Sequence, residues 1–144
     1  MTKSLEDYVE AVYVLIVKCG AAHVRDVAQE LNVKMPSVVK AISELKKMGF
    51  VTQAPYGDIK LTPKGEDIAR EILSRHKVLH KFLMSIGVSE ETADKDACLM
   101  EHILSAETMD RIEVFLAEKN NSGILTSKCI NSKRRKIKNE SNNE

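Results

Sequence analysis

The alternation of apolar and polar residues predicts an amphipathic helix near the start of the chain. Apolar side chains recur at helical spacing between Leu5 and Ile16, as a helix with one buried face requires. Ser4 can cap the first turn, and Gly20 can end the helix. We therefore expect a first helix from about Ser4 to Cys19.

Two shorter helices separated by a tight turn are expected next. The stretch 23–31 has one apolar face, and after a turn at 32–34 a further helix starts at Met35 and stops at Gly49. Pro36 suits its first turn, because the N–H that proline lacks would be unpaired there. This order of elements is typical of the helix-turn-helix, whose second helix enters the major groove of DNA.

The period of the pattern then changes from that of a helix to that of a strand. Residues 50–53 and 59–62 alternate apolar and polar side chains around a turn-forming segment, which predicts a small hairpin. Its tip, Tyr56, Gly57 and Asp58, would be the wing of a winged helix-turn-helix. The sequence thus favours a winged helix-turn-helix DNA-binding unit, called the reading head below, whose recognition helix begins near Met35.

Helical periodicity returns after the hairpin. A long helix is expected over 62–87, one or two helices over 89–104, and another over 107–118, broken by Asn120 to Gly123. From there the chain is polar and rich in Lys, Asn and Ser, and we expect it to be disordered.

Composition favours a mainly α protein. Hydrophobic residues make up 43% of the 144 residues but aromatic residues only 4%, a balance of helical proteins rather than of sandwiches or barrels. No stretch approaches the roughly 20 apolar residues of a membrane span, and three cysteines without framework spacing favour a reducing compartment. We expect a cytoplasmic protein without a membrane partner, with a winged helix-turn-helix domain over 1–70, an all-helical domain over 71–119 and a basic tail over 120–144.

The net charge is only +1, but its distribution favours a polyanionic partner. Between residues 20 and 65 there are seven Lys or Arg residues and four acidic residues. From Lys119 onward there are seven basic residues and two acidic residues. The tail could add non-specific DNA affinity or only solubility. The alternative to DNA binding is a winged helix used for protein contacts or as a connector. The side chains expected to meet phosphates or base edges of double-stranded DNA are Lys34, Pro36, Ser37, Val39, Lys40, Lys46, Lys47, Tyr56 and Lys60.

Carboxylate, imidazole and thiol groups lie on the helices that flank the predicted reading head. Two acids three residues apart share a face of the first helix, and a Cys, a Glu and a His near residue 100 are spaced as on one helical face. Such donors suit Fe(II), Mn(II), Co(II) or Zn(II) better than Mg(II) or Ca(II). Each alone is more often a solvated acid, an ordinary histidine or a small buried cysteine. The candidate metal ligands are Asp7, Glu10, His76, Cys98, Glu101 and His102.

With these residues in place, the chain resembles the family of metal-dependent repressors that includes the diphtheria toxin repressor and the manganese transport regulator. The resemblance covers about residues 4–118, and we expect a short form that lacks the family's SH3-like domain. It is carried by Leu5–Tyr13, Pro36–Val38, Leu61–Gly65, Arg75–His76, Phe82–Leu83, Asp96–His102 and Leu104–Ser105.

The resemblance implies a ligand set that mixes two branches of the family. Five of the candidates match the ligands of manganese-type members, whereas Cys98 replaces a glutamate and is typical of iron-responsive members, which carry Met in place of Asp7. The metal expected is therefore Mn(II) or Fe(II), with the choice open. His80 and Asp94 fall where iron-type members hold a second ion together with His76, so one or two ions per subunit are possible.

The resemblance also implies a homodimer, joined over 89–116, in which the second domain binds the metal and dimerises. A metal that bridges the first helix to that domain would orient two recognition helices for a palindromic operator and repress metal-uptake genes. Two alternatives stay open. One is a winged-helix regulator that senses a small organic ligand or oxidation of Cys98. The other is a metalloenzyme, disfavoured because six candidate protein ligands leave little room for a substrate, whereas catalytic sites keep a position open.

Overall fold

A computed structural model describes residues 1–122, and the structural statements below concern those residues; the predicted basic tail lies, from residue 123 onward, outside them. The fold is mainly α, as predicted, with one two-stranded antiparallel sheet. In chain order the elements are α1 (Lys3–Cys19), α2 (Val24–Glu30), α3 (Met35–Lys47), β1 (Val51–Gln53), β2 (Ile59–Leu61), α4 (Pro63–Ser85), α5 (Glu90–Met100) and α6 (106–122).

The first helix starts earlier than its sequence predicts. Its N-cap is Thr2, whose Oγ1 accepts a hydrogen bond from the Leu5 backbone N–H at 3.4 Å. The expectation of a cap at Ser4 is therefore wrong, and Ser4 lies inside the helix. The predicted end is confirmed: Gly20 adopts a left-handed φ of 81°, which glycine reaches at no steric cost, and its N–H donates to the Ile16 carbonyl.

The three N-terminal helices and the hairpin share one apolar core. Val9 and Val12 of α1 are completely buried against Val38 and Leu45 of α3 and the rest of this cluster. The Ile59 N–H donates to the Ala22 carbonyl at 2.7 Å, which ties the hairpin to the segment between α1 and α2. This winged helix-turn-helix is the reading head.

The wing is a short hairpin with an exposed tip. Val51 pairs with Leu61 and Gln53 with Ile59. At the tip Tyr56 has a left-handed φ of 58° and is fully exposed.

Helix α4 connects the reading head with a second core. Thr62 caps it by accepting from the Gly65 N–H at 3.1 Å. At Gly65 the backbone of α4 approaches the hairpin so closely that a Cβ atom would lie 2.0 Å from the Phe50 carbonyl oxygen. Further along, Ala69 belongs to the first core, whereas Leu79 belongs to the second.

The second core is built where α5 and α6 pack against the end of α4. Leu79 and Leu83 of α4 bury against Ala93 and Ala97 of α5 and against Met109 of α6. The predicted break at Asn120 is wrong as far as residue 122, because the helix continues through it. None of the helices in 1–122 combines the length and the apolar character that crossing a bilayer would require.

Candidate metal centre

The candidate ligands come together where α1 meets α4 and the turn that follows α5. Glu101 is the C-cap of α5, and residues 101–103 form a turn. Arg75 of α4 holds this turn, since its Nε donates to the Glu101 carbonyl at 2.8 Å and its guanidinium also donates to the Leu104 carbonyl. The expectation that Glu101 and His102 continue the helix of Cys98 is thus wrong: α5 ends at Met100.

His102 lies at the centre of the cluster, and its side chain has no solvent exposure. Its Nδ1 lies 2.5 Å from Glu6 Oε2. At the opposite side of the ring, Nε2 lies 2.8 Å from Asp7 Oδ1 and 3.3 Å from Glu101 Oε1. The ring therefore joins two carboxylates of α1 to one at the end of α5.

The carboxyl group of Glu101 is fully buried, and it contacts His76 through the oxygen that does not face His102. Its Oε2 lies 2.8 Å from His76 Nδ1. Burial, followed by the negative charges of Glu10 and Asp7, raises the pKa of Glu101 to about 9. Burial also raises the pKa of Glu10, partly offset by its interactions with Glu101 and the two histidines. Carboxyls clustered in a low-dielectric site prefer to be neutral, unless a cation joins them.

The donor set fits a divalent first-row metal. Asp7, Glu10 and His102 each offer one ligand atom, and these atoms lie within 4.8 Å of one another. Two buried side-chain atoms of residues 1–122, Glu101 Oε1 and His102 Nε2, make no hydrogen bond despite the short distances around them. Unpaired buried polar atoms are costly, and one ion between them would satisfy both. Carboxylate and imidazole donors together suit Mn(II), Fe(II) or Zn(II).

Cys98 lies beside this cluster rather than within the group of mutually close donor atoms. It is a free, exposed residue on α5. Partial burial of its thiol, with the negative charges of Glu101, Glu10 and Asp7, raises its pKa to about 11. Its role as a ligand stays a prediction.

The residues predicted for a second ion also lie close to His76. Its Nε2 lies 3.0 Å from Asp94 Oδ1, and its ring stacks on that of His80 with 6.4 Å between ring centres. The three side chains therefore form a group on the α4–α5 side of the cluster.

Two residues of the site were missed by reasoning from the sequence. Glu6 follows the helical repeat that joins it to Glu10, four positions later, so it could have been recognised as a third acid near the same face. Arg75 has no local signal, because its partners are backbone carbonyls 26 and 29 positions away.

The predicted DNA-facing residues lie along the recognition helix, the end of α3 and the hairpin. Lys46 Nζ donates to the Gln53 carbonyl at 3.3 Å, which connects α3 with the wing. All nine are exposed: Lys34, Pro36, Ser37, Val39, Lys40, Lys46, Lys47, Tyr56 and Lys60.

Comparison with known proteins matches both halves of the chain. Residues 1–59 match the family model "Iron dependent repressor, N-terminal DNA binding domain", and residues 62–122 match "Iron dependent repressor, metal binding and dimerisation domain". The transcriptional regulator MntR of Salmonella typhimurium is 39% identical over 118 residues, covering 82% of this chain and 75% of that protein. The HTH-type transcriptional regulator MntR of Lysinibacillus sphaericus is 41% identical over 111 residues, 77% of this chain and 80% of that protein.

Solved structures share the fold. The crystal structure of T. acidophilum IdeR superposes with a TM-score of 0.68 at 30% identity, covering 78% of this chain and 53% of that one. A manganese-dependent transcriptional repressor in complex with manganese superposes with a TM-score of 0.71 at 23% identity, covering 78% and 52%. The chain therefore spans about half the length of these two structures.

Proposed function

Since the chain belongs to the iron-dependent repressor family of metal-responsive DNA-binding repressors, we propose that it is a homodimer activated by Mn(II) or Fe(II). Its relatives are transcriptional regulators, and it is not an enzyme. Residues 1–70 read a palindromic operator in the cytoplasm, residues 71–119 bind metal and dimerise, and the repressed genes are those of metal uptake.

One observation carries this proposal: two buried ligand atoms of the 101–103 turn make no hydrogen bond, and carboxylates of α1 lie close to them. Glu101 Oε1 and His102 Nε2 make no hydrogen bond, although they lie 3.3 Å apart and Nε2 lies 2.8 Å from Asp7 Oδ1 of α1. A cation there neutralises the clustered carboxyls, and it can do so only while α1 and the 101–103 turn stay together. We assign as ligands Asp7, Glu10, His76, Cys98, Glu101 and His102.

An ion that bridges the two halves of the molecule would couple metal binding to DNA binding. Helix α1 is part of the core of the reading head, whereas Glu101 and His102 follow α5 in the second half. An ion shared by both restrains their relative orientation and favours one spacing of the two recognition helices in a dimer. Operators of helix-turn-helix dimers demand a spacing of about 34 Å, one turn of DNA.

The donor chemistry limits the metal but leaves two candidates. The group formed by Asp7, Glu10 and Glu101 is dominated by hard oxygen donors, which favours Mn(II), whereas the thiol of Cys98 at its edge favours Fe(II) or a later metal. A second ion would take His76, His80 and Asp94. The stoichiometry of binding decides between one and two ions per subunit.

The test is a DNA-binding titration by fluorescence anisotropy. A duplex selected from a randomised library in the presence of Mn(II) serves as operator, and binding is compared with Mn(II), anaerobic Fe(II), Co(II), Zn(II) and a chelator. We expect tight binding with Mn(II) or Fe(II) and loss of at least tenfold in affinity with the chelator, as allosteric coupling free energies typically allow. Equal affinity with and without metal would contradict the proposal.

A further inference from the structure

We propose that Glu6 is a positioning residue of the metal centre, which fixes the tautomer and the ring orientation of His102 without itself being a ligand. This inference rests on the proposed metal site, but it concerns a residue outside the assigned ligand set. Its basis is the contact between Glu6 Oε2 and His102 Nδ1 at 2.5 Å.

The contact lies on the side of the imidazole ring that faces away from the metal donors. Nε2 is the atom near Asp7 and Glu101, at 2.8 and 3.3 Å. Because the two nitrogens of an imidazole point in different directions, the carboxylate that contacts Nδ1 is directed away from an ion held at Nε2. Glu6 is therefore placed to act through His102.

The chemistry of the contact selects one tautomer. A carboxylate only accepts hydrogen bonds. The ring makes a hydrogen bond at Nδ1, to Glu6, but none at Nε2, although Asp7 Oδ1 lies 2.8 Å from that atom, so the geometry favours the neutral ring with its proton on Nδ1. The lone pair of Nε2 is then free to bind a cation. The hydrogen bond that one ring nitrogen makes sets which nitrogen can bind metal, and a carboxylate partner also raises the basicity of the ligating nitrogen.

The burial of His102 increases the importance of its contact with Glu6. The His102 side chain is completely buried, whereas that of Glu6 is 26% exposed, so in this structure solvent does not compete with Glu6 for Nδ1. Glu6 lines a cavity of about 230 Å³ together with Glu71 and Arg75. Arg75 donates to the backbone carbonyls of Glu101 and Leu104, on either side of His102, so side chains of one cavity restrain both the backbone around His102 and its ring.

The experiment compares Glu6→Ala and Glu6→Gln with the matched control Glu71→Ala. Glu71 lines the same cavity but is not among the groups that contact the His102 ring in the described part of the chain. The tautomer of His102 is read from long-range ¹H–¹⁵N NMR spectra of the metal-free full chain, recorded at a pH at which the ¹⁵N chemical shifts show a neutral ring. Mn(II) affinity is measured by calorimetry.

We expect the wild type and Glu71→Ala to hold the Nδ1–H tautomer. Glu6→Ala should populate the Nε2–H tautomer and bind Mn(II) about 10- to 100-fold more weakly, the usual cost of losing such a partner. Glu6→Gln should lose less, because its amide oxygen still accepts from Nδ1.

An unchanged tautomer in Glu6→Ala, or a Mn(II) affinity within twofold of that of Glu71→Ala, overturns the inference. The NMR measurement requires no metal, so it can fail while metal-dependent DNA binding of the wild type stands. Conversely, DNA binding that ignores metal overturns the proposed function and leaves the tautomer result intact.

Discussion

Nε2 of His102 lies 2.8 Å from Oδ1 of Asp7, so the first helix of the reading head touches the turn that follows α5. The two groups belong to different halves of the molecule, and their contact is the point at which a bound ion can connect them.

Asp7→Asn should weaken Mn(II) binding by at least tenfold, because it removes a charged oxygen donor and leaves the other ligands in place. The metal-free protein should keep its stability or gain some, since one of several clustered negative charges is lost. Calorimetric metal titration and thermal unfolding measure the two effects. Asp67→Asn, an exposed acid on α4, is the control and should change neither; equal metal affinity of the two variants would contradict the assignment.

The metal-free protein should lose stability as pH rises from 4.5 to about 9, the unfolded and folded pKa values of Glu101. In this range folded Glu101 keeps the proton that the unfolded chain releases. The folded state thus binds more protons, and the free energy of unfolding falls with pH, by at most about 1.4 kcal/mol per pH unit for one proton. Urea unfolding across this range, with chelator present, measures the slope.

Glu101→Gln should flatten this pH dependence, because an amide does not titrate. Glu71→Gln, at an exposed position of α4, should leave the slope of the wild type unchanged. A slope that Glu101→Gln does not alter would assign the pH dependence to other groups.

Cys98→Glu should shift metal preference toward Mn(II). The substitution exchanges a soft thiol for a hard carboxylate, so the ratio of Zn(II) to Mn(II) affinity should fall. Competition titrations with a chromophoric chelator measure this ratio. Cys19→Ser changes the exposed cysteine at the end of α1 and should leave it unchanged, whereas an unaltered ratio in Cys98→Glu would mean that the thiol takes no part in metal selection.

Lys40→Ala should weaken DNA binding and reduce the salt dependence of the affinity. If this exposed lysine of α3 pairs with one phosphate, the slope of log K against log salt should decrease by about 1. Anisotropy titrations at several salt concentrations measure the slope. Lys95→Ala on α5, which breaks only the Lys95–Glu91 ion pair, should match the wild type. A full salt slope in Lys40→Ala would exclude the phosphate contact.

Gly65→Ala should destabilise the fold by about 1–3 kcal/mol or more, because its Cβ would lie 2.0 Å from the Phe50 carbonyl oxygen. The obstacle is backbone and cannot move as a flexible side chain would. Ser74→Ala at an exposed position of the same helix should stay within about 0.5 kcal/mol of the wild type. Chemical unfolding of both variants measures the difference; equal stability would show that α4 can shift away from the hairpin.

The fold was largely predictable, because its elements follow from periodic burial. The change from helical spacing to alternation after Gly49 predicts the hairpin, and the apolar face of α3 predicts which side packs inward. The start of α1 could not be predicted, because Thr2 and Ser4 are both residue types that commonly cap helices. The charged Lys3 between them adds no apolar position that would distinguish the two.

The types of ligand were visible in the sequence, but their arrangement was not. No glycine or proline marks the end of α5, which ends at Met100 with the carbonyl of Glu101 bound by the distant Arg75. Glu6 was overlooked for a similar reason, as its role depends on a contact with His102, 96 positions away. The local pattern of apolar residues predicts which side chains are buried. It does not predict hydrogen bonds between residues that are far apart in the sequence.

Helix α4 is long and uninterrupted, which limits how the protein can change shape. Its 23 residues, about 34 Å of continuous helix, contain no proline beyond the first turn and no glycine beyond Gly65, so the helix has no internal point at which it bends easily. A rearrangement between the free and the activated protein must therefore pivot at its ends or slide α1 across its surface. Hydrogen exchange should accordingly find no break in protection inside α4 in either state, and place the motion that switches the repressor in the segments that border it.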